Sequence, residues 1–193
     1  MAWVSTSPLV KTYTLEEFWE LPEPPDRSKL ELIAGVLYMT PPPGPLHNNA
    51  VSRLNRFLND HLIKIDDKGT LYVPRAGIIR GPDSWLEPDL FYVAADTQAY
   101  LDPKYPQYMT TADLVIEVIS PSSAIYDRNT KSDTYAALGV KELWLIDEAS
   151  GIIEVRVLKD GRYEASAVLE RVETLRSVVL TGFEVLVGSV FGD

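Results

Sequence analysis

The 193-residue chain contains no cysteine and only two histidines, His47 and His61. The first absence excludes thiol nucleophiles, cysteine-ligated zinc, iron–sulfur clusters and disulfide scaffolds; the scarcity of histidine argues against a histidine-rich metal centre. Long apolar runs are missing as well. The longest, such as 114–116 and 143–146, fall far short of the roughly 20 residues that a membrane-spanning helix needs. Met1-Ala2-Trp3-Val4 shows no basic stretch leading into an apolar one, so no secretory signal and a cytoplasmic location are expected. Basic residues are few: 18 against 28 acidic ones, a net charge of −10 that speaks against broad electrostatic attraction to nucleic acid.

What is present is an ordinary globular composition, 46% hydrophobic and 24% charged, in a chain long enough for one domain with small additions. Residues 1–13 read as a leader outside the core. Thr14, with Glu16 and Glu17 after it, opens a short helix that Pro22 stops. The segments 30–33 and 36–39 flank Ala34-Gly35 as a hairpin, although alanine is not the residue such a turn prefers. After the proline cluster at 41–45, apolar residues at Leu46, Ala50, Val51, Leu54, Phe57, Leu58 and Leu62 predict a helix over about 46–63. Strands are expected at about 70–79, 90–94, 114–119 and 141–147, and a long irregular loop over 96–111. Pro121-Ser122-Ser123 offers caps for a helix over about 123–138, with Gly139 at its end. A hairpin around Asp160-Gly161, a short strand at 177–180 and a closing helix over 182–191 complete the expectation. From 46 to 147 the order is helix, strand, strand, strand, helix, strand, an α/β arrangement with a mixed sheet and added β-hairpins.

Charged residues in apolar surroundings are the candidates for chemistry. Glu117 interrupts an otherwise apolar strand; it is either a core carboxylate needing a cation, or a solvent-facing residue of an edge strand. Asp89 follows Pro88 at a strand entry, a common turn position, but adjacent strands could bring it beside Glu117, and hard divalent cations such as magnesium prefer such oxygen ligands. Asp127, Lys131, Tyr135 and Leu138 share one helical stripe, which either carries Lys131 to the end of the sheet or leaves an exposed Asp127–Lys131 pair. Glu31 and His47 are weaker candidates: a half-exposed strand residue and a histidine at the start of the long helix.

These residues, taken in order, resemble the Uma-type family of restriction endonuclease-like proteins, a branch of the PD-(D/E)XK nuclease superfamily. The resemblance rests on the segments 30–35 (Leu-Glu-Leu-Ile-Ala-Gly), Pro88-Asp89, 116–122 (Ile-Glu-Val-Ile-Ser-Pro-Ser), Tyr126-Asp127-Arg128 with Lys131 and Tyr135, and Gly139-Val140 with 142–147 (Glu-Leu-Trp-Leu-Ile-Asp). It covers the chain from Thr14 onward and implies one domain over 14–193, with a restriction-endonuclease-like core. It implies that Asp89 and Glu117 hold a divalent metal, Mg2+ or Mn2+, with the backbone carbonyl of Val118 as a further ligand. The position two after Glu117 is Ile119 and not the superfamily's lysine, and Lys131 looks like its substitute. Glu31 is a further catalytic candidate, for a second metal or a water. Ala34 departs from the acidic residue usual in the family's turn.

The implied activity is metal-dependent hydrolysis of DNA phosphodiester bonds. Two carboxylates hold a cation that neutralises the anionic substrate and acidifies a bound water, and an ammonium stabilises the charge that develops. Because the chain is acidic overall, basic residues must be concentrated locally, and Arg53, Arg56, Arg75, Arg80, Arg128 and Lys131 are expected near the site. DNA binding is expected to be weak or selective, with a homodimer completing the groove. Two alternatives stand beside this reading: a catalytically decayed nuclease fold serving as a binding or assembly module, and a hydrolase of another phosphoester.

Overall fold

The structure, a computed structural model, describes residues 11–97, 104–106, 108–120 and 124–193. Helix α1 (Leu15–Trp19) starts on a reciprocal cap: the Glu17 N–H donates to Thr14 Oγ1 at 3.2 Å and the Thr14 N–H donates to Glu17 Oε2 at 2.9 Å. Strands β1 (Lys29–Ile33) and β2 (Val36–Thr40) form the expected hairpin. Its turn residues Ala34 and Gly35 have φ of 49° and 76°, the left-handed pair that a two-residue type I′ turn demands. Helix α2 (Pro45–Lys64) carries proline in its first turn and buries Ala50, Val51, Leu54, Leu58 and Leu62, the stripe its spacing predicts.

The single strand expected over 70–79 is two strands in two different sheets. β3 (Thr70–Tyr72) and β4 (Ile78–Arg80) are parted by Pro74, which cannot donate to a ladder, and by Arg75, whose φ of 80° turns the chain. Gly77 then lies so close to the Trp85 ring that a Cβ there would come within 2.1 Å of it. β5 (Ser84–Leu86), a strand the sequence reading did not anticipate, returns beside β4. The hairpin β4–β5 joins β1 and β2 in a four-stranded sheet of order β2-β1-β5-β4.

The larger sheet has the order β10-β9-β8-β7-β6-β3, built with β6 (Leu90–Val93), β7 (Leu114–Ile119), β8 (Glu142–Asp147), β9 (Ile152–Lys159) and β10 (Arg162–Leu169). Only the β7–β8 pair within it is parallel, and the crossover that parallel strands require is helical. That crossover is not the uniform helix expected over 123–138. It runs as α3 (Ala124–Tyr126), a π-helical turn over Asp127–Lys131 and α4 (Ser132–Ala137), and Gly139 at φ 78° ends it. The capping residues 121–123 and residues 98–103 and 107 of the expected loop lie outside the described residues. The order helix, strand, strand, strand, helix, strand is nevertheless present over 46–147 as α2, β3, β6, β7, the crossover helix and β8, with the β4–β5 hairpin diverted to the second sheet. No helix among the described residues is long and apolar enough to cross a membrane.

Every side chain of β7 is buried, and alternation divides them between two cores. Leu114, Ile116 and Val118 pack with α2, whereas Val115 and Ile119 join Tyr135, Leu143, Leu145, Ile78 and Leu86 on the opposite face. Glu117 shares the parity of that second face. At the C-terminus the strand expected at 177–180 is instead β11 (Thr174–Arg176) paired with β12 (Glu184–Leu186), and the closing helix is only α5 (Val187–Phe191). Residues 177–179 are not free to pair, because they cap a carboxylate. Glu142 is fully buried; its Oε2 accepts from Ser177 Oγ at 2.6 Å and from the N–H groups of Val178 and Val179 at 3.0 and 3.1 Å, and its Oε1 from Trp144 Nε1 at 2.9 Å.

Glu142→Ala removes the acceptor of four donors, of which the Val179 N–H keeps Ser177 Oγ at 3.1 Å, and unpins the C-terminal segment from β8. We expect it to lower the free energy of unfolding by about 3 kcal/mol in urea titrations, since hydrogen bonds to a buried charge are costly to leave unmade. A loss under about 1 kcal/mol would show that the carboxylate is not the clamp.

Candidate functional site

Three elements deliver charge to one end of the larger sheet. β1 places Lys29 and Glu31 two residues apart, on the same face. Glu31 is fully buried; its Oε1 accepts from the Glu87 N–H at 2.9 Å, and Lys29 Nζ donates to the Glu87 carbonyl at 2.8 Å. β7 contributes Glu117 from the buried face. The crossover helix contributes Asp127 and Lys131, which bracket the π turn, and then Tyr135.

Lys131 is the centre of this group, with only 2% of its surface exposed. Its Nζ donates to Glu117 Oε1 at 3.0 Å, lies 2.9 Å from Glu31 Oε2 and 3.4 Å from Asp127 Oδ1. The Glu31 contact is an ion pair by distance without the alignment of a hydrogen bond. Tyr135 donates its hydroxyl to the same Glu117 oxygen at 2.6 Å, and the Tyr126 ring lies 5.3 Å from the ammonium and stacks on Tyr38. The exposed Asp127–Lys131 pair and the edge-strand Glu117, both open from the sequence, are not what the chain forms.

Asp89, at the entry to β6, reaches across to β7. Its Oδ2 accepts from the Val118 N–H at 2.8 Å and lies 3.1 Å from Nε2 of His47, in the first turn of α2. Asp89, Glu117, Val118, Asp127, Lys131 and His47 line one cavity of about 290 Å3. Glu31 does not line it and sits behind Lys131. The protein contacts of Asp89 and Glu117 fall on one oxygen of each, Oδ2 and Oε1. The mouth of the cavity is lined by Arg27, Lys29 and Arg75, and by prolines 41–43.

Of the six basic residues expected nearby, only Arg75 and Lys131 line the cavity. Arg128 is spent elsewhere, donating to Glu154 Oε1 at 2.7 Å and Asp147 Oδ2 at 2.8 Å. Arg27, Lys29, Tyr126 and Glu148 were not singled out from the sequence. A period-two reading of Lys29 and Glu31 could have found the lysine, but no periodicity marks Arg27 in its turn.

The protonation pattern follows from this packing. Burial pushes the Glu117 carboxyl up, and the Lys131 charge only partly offsets it, leaving a pKa of about 7. Burial alone would raise Glu31 too, but the charges of Lys131 and Lys29 hold it below the usual carboxylate range. Burial likewise opposes the charge on Lys131; Glu117, Glu31 and Asp127 overturn this and raise its pKa well above the ordinary value. Asp89 is lowered against the effect of burial by its bond to His47, and His47 is correspondingly raised against burial.

Among the described residues no three histidine, aspartate or glutamate side chains form a ready-made metal cage. Two carboxylates on one cavity still suit Mg2+, which keeps several waters and usually takes one or two protein carboxylates together with substrate phosphate.

A mixed sheet flanked by α2 and the crossover helix, with acids and a lysine gathered at its end, defines a restriction-endonuclease-like α/β protein. The family model described as Uma2, putative restriction endonuclease, matches residues 15–188, and the chain belongs to that family. A crystal structure of a putative nuclease of the DUF820 group from Anabaena variabilis is similar in fold, with a TM-score of 0.74 at 19% identity, covering 93% of this chain and 97% of that one. No curated protein matches the chain. Restriction-endonuclease-like proteins are usually metal-dependent.

Lys131→Met leaves Glu31, Glu117 and Asp127 without their shared cation, and breaking a buried pair in this way costs about 3–5 kcal/mol. Glu31, with a lowered folded pKa, contributes stability above its unfolded value and loses it as pH falls; Glu117, raised to about 7 from 4.5, loses stability as pH rises through that window. Without the ammonium every acid favours its proton more. Urea unfolding is therefore expected to show a larger loss at pH 8 than at pH 5; an equal loss at both would contradict the shared-cation geometry.

Proposed function

We propose that this protein is a divalent-metal-dependent endodeoxyribonuclease that hydrolyses DNA phosphodiester bonds. The observation that carries the reading is the opening of Asp89 and Glu117 onto one cavity, each with a single oxygen spent on protein partners, while the ammonium of Lys131 lies 3.0 Å from Glu117. Asp89 and Glu117 are the residues that would hold Mg2+ or Mn2+, with the Val118 carbonyl as a further ligand. The cation, when bound, neutralises the phosphodiester and makes a bound water more acidic.

The remaining roles belong to this chain's own side chains. Lys131 and Tyr135 fix Oε1 of Glu117, so that the carboxylate presents its other oxygen to the cavity. Lys131 also supplies a positive charge close to where negative charge develops on the phosphorus oxygens. Its place there is the one that the superfamily's strand lysine would take, reached from a helix because Ile119 occupies the strand position. Glu31 acts through Lys131: it is a positioning residue, holding the ammonium from behind without reaching the cavity. His47 holds Asp89 from the start of α2, with Nε2 3.1 Å from Oδ2.

Supercoiled plasmid incubated with the protein in Mg2+ or Mn2+ should be nicked and linearised, and chelation should stop the reaction. Asp89→Asn and Glu117→Gln should each slow cleavage by about 10²–10³ or more. Glu117→Ala should abolish the Mg2+ heat seen by titration calorimetry in the wild-type protein. Absence of both cleavage and Mg2+ binding would favour the decayed-fold alternative, and cleavage of a small phosphodiester in preference to plasmid would favour the other hydrolase.

A further inference from the structure

The cavity has a buried and an exposed end. With Lys131 at the buried end are Asp89, Glu117 and Asp127, all at least nine-tenths buried; toward solvent its lining includes Arg27, Lys29 and Arg75, with Glu87 3.8 Å from Arg75. The three cations come from separate places in the chain. Arg27 lies in the turn before β1, Lys29 in β1, and Arg75 in the break between β3 and β4. Arg27 and Arg75 are exposed, and both stand on left-handed backbone, with φ of 65° and 80°. Long L side chains adopt that region at a cost, and such strain collects at binding sites. Among the described residues the other three non-glycine residues with positive φ, Ala34, Asp66 and Asp160, lie in two hairpin turns and at the end of α2.

These mouth cations are weakly committed in a chain with ten surplus acids. The Arg27 guanidinium makes no hydrogen bond or ion pair among the described residues, and Arg75 comes no nearer than 3.8 Å to a carboxylate, Glu87. Lys29 links the two ends, 3.8 Å from Glu31 and bonded to the Glu87 carbonyl. A phosphate delivered to the buried acids must enter this cavity of about 290 Å3. The next phosphate along the strand then falls toward its exposed end, where the Arg27 and Arg75 guanidinium groups suit phosphate oxygens.

We propose that Arg27 and Arg75 clamp the phosphate neighbouring the scissile one. The part concerning the scissile phosphate rests on the nuclease reading; the clamp itself does not.

The test uses the whole chain, with a fluorescein-labelled twelve-nucleotide oligothymidylate, followed by anisotropy in Ca2+ over a range of salt. Arg27→Asn/Arg75→Asn keeps residues that tolerate left-handed backbone, so its urea midpoint should match the wild type. Its affinity for the oligothymidylate should fall at least about tenfold, and its salt slope should shrink by about 0.7, for the one phosphate that the two guanidinium groups share. Arg27→Lys/Arg75→Lys should retain most of the affinity. Unchanged binding by the asparagine variant, or a loss in the lysine variant as large as in the asparagine variant, would each overturn the proposal. Mg2+ calorimetry on the same samples separates the two readings. Binding that does not depend on Arg27 and Arg75, with Mg2+ heat intact, sinks the clamp alone, and absent Mg2+ heat with binding that does depend on them sinks the nuclease reading alone.

Discussion

The buried ammonium of Lys131 is the constraint around which the site is built. It meets carboxylates from a strand of the small sheet, a strand of the large sheet and its own helix: Glu31, Glu117 and Asp127. Any one of these acids buried alone would be forced toward its neutral form, and the lysine buried alone would lose its proton. Together they fix the distance between the two sheets at one point. Buried ion pairs add little net stability over apolar packing, so what this cluster supplies is geometry.

The π turn is part of that geometry. Its wider winding accommodates Asp127 and Lys131, both turned inward, and such turns are frequent at functional positions. Arg156 braces it from β9, donating to the Arg128 carbonyl at 2.7 Å and to Ser132 Oγ at 2.8 Å, the residues three before and one after Lys131. Arg128 is fastened in turn to Asp147 and Glu154. A surface ion network thus holds a buried cation in place, and net charge of −10 coexists with a local cationic mouth because most of the basic side chains near the sheet are used internally.

Much of this was legible in the sequence. A glutamate inside an apolar hexapeptide read as a core carboxylate needing a cation or as a solvent-facing residue of an edge strand, and the 127–131–135 stripe pointed at the cation that the structure gives it, even though the helix winding differs from the α-helix assumed. The α2 stripe and the two glycine hairpins were legible because their periods are local. The chain's division between two sheets was not, since residues 70–79 read as one strand until tertiary packing of Gly77 on Trp85 redirects them. Nor was Arg27, which lines the same cavity as Arg75 from 48 residues away with no spacing to announce it; Arg75 was expected near the site as one of six basic residues. The strand expected at 177–180 failed for a similar reason, as Glu142 claims its N–H groups from a distant strand.

The account stands or falls on whether Asp89 and Glu117 hold a cation between them. Anomalous scattering from crystals of the protein soaked in MnCl2 measures this directly. The account predicts a manganese peak with a carboxylate oxygen of Asp89 and one of Glu117 each about 2.0–2.2 Å away. Full manganese occupancy elsewhere on the protein with no peak between these two carboxylates would contradict it.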